Sequence, residues 1–142
     1  MEQEVAIKEL NAFIKGRYMG IHTYEHLIHN AKDAEVKITL QRIQQNHKQH
    51  AATVAERIQN LGGIPVRDAG FISSVQELFS DIKGYPESND DIIKTAIKNE
   101  ENLATGISEE LKGDLDQESK VIIHHIINED RKHTETLKNL IH

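Results

Sequence analysis

Aliphatic stripes at helical spacing, each interrupted by ionisable side chains, constrain this sequence more than any other feature. Ile7, Ile14, Ile21 and Ile28 recur at seven-residue intervals, with Leu10, Tyr24 and Ala31 at the intervening d positions. Residues 3–31 therefore read as one long helix with a single apolar face. Arg17 falls on that face. A second stripe runs Val36, Leu40, Ile43, His47, His50, Val54, Ile58 and Leu61, from a cap at Asp33 to the stop Gly62-Gly63-Ile64-Pro65. A third begins near Ser88 or Asn89, carries Asp90 and Asp91 where the helix dipole favours them, and continues Ile93, Ala96, Glu100, Leu103, Ile107, Leu111. The fourth opens with the capping-box pattern Asp114-x-x-Gln117 and runs Ile122, Ile126, Asp130, His133, Leu137, Leu140. Four long helices that turn charged and titratable groups inward are the expectation.

Residues 62–88 hold both prolines, and Ser74-x-x-Glu77 precedes the apolar positions Val75, Leu78, Phe79 and Ile82, which predicts one short helix inside a long crossover. Two hairpins joined by a single long crossover describe an all-α four-helix bundle of ferritin-like connectivity, formed by residues 1–142 as one domain. Hydrophobic residues make up 37% of the chain and aromatics 4%, so the core is aliphatic. Seventeen Lys and Arg against 23 Asp and Glu, a net charge of -6 with the signs mixed, exclude a phosphate-binding face and with it nucleic acid. The absence of Cys excludes disulfides, zinc ribbons and iron–sulfur ligation, so a metal would have to use His and carboxylate. No apolar run spans a bilayer, and Met1-Glu2-Gln3-Glu4 lacks the basic and apolar regions of a signal peptide, which makes the cytoplasm the expected location and a membrane an excluded partner. No Gly-rich phosphate cradle or nucleophile elbow is present.

Height along the bundle groups the inward polar residues. Each helix rises about 1.5 Å per residue, so positions equidistant from a hairpin turn are level. Arg17 is then level with His47, and Glu100 with Asp130. Carboxylate-bridged di-metal bundles take one Glu from each of two helices and a Glu-x-x-His from each of the others. This chain offers His47-x-x-His50, Glu100 and Asp130-x-x-His133, and these five residues are the candidate metal ligands.

Leu40 to Ala51 resembles the second helix of rubrerythrin and of the ferritin-like superfamily, with His47 where that family has Glu. Ala96-Ile97-Lys98-Asn99-Glu100 resembles the stretch around its third-helix Glu. The resemblance implies iron or manganese, oxygen- or peroxide-linked redox chemistry, and a homodimer formed through helix faces. The imidazole-rich donor set also suits zinc. Rubrerythrin's cysteine-ligated extension has no counterpart here, so electrons would come from a separate donor.

Two departures from the family pattern open a competing reading. One Glu slot holds His47, and the first-helix slot holds Arg17. Two carboxylates and three His undercompensate two dications, which favours a single ion or an exogenous bridge. Alternatively, Arg17 pairs with Glu100 or Asp130 while the histidines hydrogen-bond the same carboxylates. That arrangement makes a metal-free polar layer in a bundle serving as a structural or protein-interaction module. Buried charges cost several kcal/mol unless paired, and either arrangement meets that demand. Outside this set, Tyr18 and Glu25 read as boundary residues. His22, His26, His29, His124, His125, Glu101 and Glu129 read as surface groups.

Overall fold

The computed structural model describes residues 2–68, 86–110 and 115–141, with side chains in the third helix placed as far as Leu103. Among the described residues four helices follow in order: α1 (Glu2–Asn30), α2 (Ala34–Asn60), α3 (Asn89–Glu110) and α4 (Gln117–Lys138). α1 packs on α2 and α3, and α4 on α3 and α2, so α1 faces α4 across one diagonal and α2 faces α3 across the other. This is the expected ferritin-like four-helix bundle, with a single long connection between α2 and α3. The short helix expected around Ser74–Ile82 lies outside the described residues, as do Asp114, Leu111 and the side chain of Ile107.

Local chemistry sets most of the helix ends. The Asp33 carboxylate accepts from the Val36 N–H at 3.0 Å and starts α2. Ser88 does the same for α3, its hydroxyl accepting from the Asp91 N–H at 3.2 Å. α2 ends in a Schellman motif: Gly62 N–H donates to Gln59 at 3.0 Å and Gly63 N–H to Ile58 at 2.9 Å. Gly62 adopts φ +88°, the left-handed conformation the motif requires.

α4 departs from its sequence pattern in a revealing way. Its N-cap is Asp116, not Asp114: Asp116 accepts from the Ser119 N–H at 3.1 Å and from the Ser119 hydroxyl at 2.6 Å. Arg57, near the end of α2, settles the choice by donating to Asp116 at 2.6 Å and to Ser119 Oγ at 3.0 Å. Ile126, Asp130 and Leu137 are buried as the stripe predicts, but Ile123 is the buried apolar residue of the first turns and Ile122 only packs at the margin of the core.

The aliphatic interior forms two clusters. One is built around Leu27, Leu40, Ile92 and Leu137, the other around Leu10, Ile14, Val54 and Ile126. Arg17, His47, His50, Glu100 and Asp130 are all buried too. On α1, α2 and α4 these polar residues fall between positions that belong to the two clusters. At the start of the crossover, Asn11 of α1 donates to the Ile64 carbonyl at 3.2 Å and accepts from the Val66 N–H at 2.8 Å. Substituting Gly62→Ala places a Cβ in the left-handed region and is expected to cost about 1 kcal/mol, read as a lowered urea midpoint with an unchanged m-value.

Candidate metal centre

Arg17 is buried completely and reaches Asp130 across the α1–α4 diagonal. Its Nη1 donates to Asp130 Oδ1 at 2.8 Å and its Nη2 to Oδ2, a fork-to-fork ion pair. Nη1 also lies 2.9 Å from His47 Nδ1, and the guanidinium carbon sits 4.7 Å from the centroid of the Phe13 ring. A guanidinium can only donate, so His47 Nδ1 is the lone-pair nitrogen and the ring proton resides on Nε2. Nε2–H then donates to Glu100 Oε1 at 2.6 Å across the α2–α3 diagonal. The Tyr24 hydroxyl donates to the same oxygen at 2.5 Å. One chain of hydrogen bonds, Asp130–Arg17–His47–Glu100–Tyr24, thereby crosses both diagonals and joins all four helices.

Burial, together with the nearby Arg17 charge, pushes the His47 imidazole down to about 3, so the ring is neutral. Burial pushes the Glu100 carboxyl up to about 7. The proton Glu100 takes up belongs on Oε2, which has no partner, because Oε1 already accepts two donors. Burial and the adjacent Glu100 hold the Tyr24 phenol well above its ordinary value. Glu100 is raised in the folded state, so its contribution is present at low pH and lost as pH climbs from the ordinary carboxylate value through about 7. His47 is lowered, and its contribution is lost as pH falls from 6.5 toward about 3. Glu100→Gln keeps an acceptor for His47 and Tyr24 while removing the buried charge. The variant should therefore gain stability over the parent as pH rises from about 5 to about 8, measured by urea unfolding across that range.

The structure brings three of the five candidate ligands into one group. His47, His50 and Asp130 each offer a ligand atom, and those atoms lie within 4.8 Å of one another. Glu100 belongs to the same layer, with Oε1 committed to His47 and Tyr24. His133 stands at its edge: the ring is 5.4 Å from that of His47, but Nε2 is held at 2.7 Å from Asn46 Oδ1. Tyr24, a member of the network, and Asn46, the partner of His133 at its edge, are residues that sequence patterning did not single out for the site. Tyr24 carried one signal, since a phenol on a core d position needs a partner for its hydroxyl; Asn46 carried none.

Removing one partner of a buried ion pair strands the other charge. Arg17→Met should destabilise the chain by about 3–5 kcal/mol, and Arg17→Met combined with Asp130→Leu should recover most of the loss, measured as a double-mutant cycle by denaturant unfolding.

The sequence profile of a family described as a domain of unknown function, DUF2383, matches residues 5–113. Among solved structures, the chain is similar to a dodecameric thioferritin, the bacterioferritin-related protein from Bacteroides fragilis. That similarity has a TM-score of 0.70 and 20% sequence identity, covering 96% of this chain and 84% of the other. At this identity it is a likeness of fold. No curated protein matches the chain.

Proposed function

The chain belongs to the DUF2383 family, and from that footing we propose that this ferritin-like bundle binds one divalent transition-metal ion at His47, His50 and Asp130, in exchange for the guanidinium of Arg17. The observation that carries the reading is that the donors surround a place already held by a cation: Arg17 Nη1 lies 2.8 Å from Asp130 and 2.9 Å from His47. Both imidazoles are suited to coordination. His47 is neutral, and His50 has a buried Nδ1 without a hydrogen-bond partner.

A carboxylate-bridged pair of ions does not fit these residues. Glu100 and Asp130 are the layer's only described carboxylates, and the guanidinium adds positive charge among them. Two imidazoles and one carboxylate instead form the facial donor set of mononuclear non-haem iron sites. Iron is therefore the first choice, with manganese favoured by the ferritin-like fold and zinc by donor type. Glu100 supports the site from beside it through its hydrogen bond with His47, and His133 stands against the His47 ring. When bound, such an ion supplies Lewis acidity at open positions and, for iron, a redox couple to oxygen or peroxide, which would make the protein an oxidoreductase. Arg17, which lies over the Phe13 ring, would have to release Asp130 and His47 for the ion to bind. Self-association, at least to a homodimer, and a cytoplasmic location complete the reading. They are supported by a structural neighbour described as dodecameric and by the fact that no described helix is long and apolar enough to cross a membrane.

The bidentate Arg17–Asp130 pair favours a second reading, a metal-free bundle acting as a structural or interaction module. Calorimetric titration of untagged protein with ferrous, cobaltous and zinc ions separates the two. The metal reading expects one equivalent bound, affinity raised at least about tenfold in Arg17→Gln because the competing cation is gone, and binding lost in His50→Ala. Failure of both the parent and Arg17→Gln to bind any of the three ions would leave the module.

A further inference from the structure

His50 faces two ways. Its Nδ1 is buried and unpartnered within the bundle, and its Nε2 lies 3.3 Å from Glu129 Oε1. The same Glu129 oxygen is 2.9 Å from His125 Nε2, one turn earlier on α4. Side-chain exposure falls steadily along this series, from 71% at His125 to 30% at Glu129 and 6% at His50. A carboxylate with an imidazole on either side therefore runs from solvent to the edge of the polar layer.

We propose that His125, Glu129 and His50 form a loading site, where a divalent transition-metal cation is captured from solvent and handed through the His50 ring to the inner group. The inference rests on the metal reading above and names the route by which that site fills. Imidazole nitrogen and carboxylate oxygen are the donors such an ion prefers once it begins to shed water. Inside the layer the charges of Arg17 and Asp130 offset one another, so the negative charge of Glu129 at the wall is what attracts a dication where it must cross. Glu129 precedes Asp130 directly, so adjacent residues on one helix turn place one carboxylate at the wall and the other inside. His50 would belong to both sites, with Nε2 beside Glu129 and Nδ1 buried and free to take a ligand role within the bundle.

A transit group and an anchoring group have different kinetic signatures. A residue used only in transit changes uptake and release by the same factor and leaves the equilibrium unchanged. A residue that merely orients His50 changes affinity. Stopped-flow uptake of cobalt(II), followed by its d–d absorption, and release to a chelator would be measured for untagged parent, Glu129→Gln and His125→Ala. The proposal expects Glu129→Gln to slow uptake and release alike by about tenfold or more, His125→Ala to slow both by a smaller factor, and Kd to stay within about twofold of the parent. Unchanged rates in Glu129→Gln overturn it, as does weakened affinity with an unchanged uptake rate. Absence of cobalt binding in every form, Arg17→Gln included, removes the metal site itself and the loading site with it.

Discussion

A guanidinium sealed inside an aliphatic bundle must keep its carboxylate, and the Arg17–Asp130 pair imposes that condition on everything around it. Taking either ion out of water costs several kcal/mol, offset only when geometry is good and the remaining polar atoms find partners. The fork-to-fork contact provides the geometry, and Phe13 covers the cation's face. The remaining Nη1 interaction goes to His47. From there the order of the network is dictated: the tautomer of His47 follows from Arg17 being a pure donor, Glu100 must accept, and Tyr24 finishes on the same oxygen.

This condition also decides what the layer can hold. Asp130 and His47 present lone pairs to a single cation, which Arg17 supplies from within the chain. An incoming metal ion would compete with it for the same atoms. Asp130 and His47 hold one cation, that of Arg17, and on the proposed reading a metal ion would replace it rather than join it. Its affinity for metal would be set as much by the cost of moving Arg17 as by the donors themselves.

Much of the fold was legible because helical periodicity and capping are local. The stripes on α1 and α2, the Asp33 cap and the Gly62 stop lie where the pattern put them. The exception is instructive. Asp114 had the better local capping pattern, yet Asp116 caps α4, with Arg57, 59 residues away, bound to it; Ile123 is buried in place of Ile122, while Ile126, Asp130 and Leu137 keep the expected phase. In the site, counting rise from the turns placed Arg17 level with His47, and Glu100 level with Asp130, within each hairpin. Equal height does not say which of them pair. Tyr24, two turns from Arg17, reaches the layer through the length of its ring, and Asn46 captures His133 from the same helix that carries His47.

The sequence by itself determined four helices, their faces and the inward placement of Arg17, His47, His50, Glu100 and Asp130, because spacing along a helix fixes direction; His133, expected inward as well, is only partly buried. The tertiary structure decided how those groups share charge. Pairing across the diagonals depends on side-chain length and on distances between helices that do not touch along the chain. On those distances rested the choice of Asp130 over Glu100 as the partner of Arg17, the neutrality of His47, and the approach of His50, His47 and Asp130 to within 4.8 Å of one another.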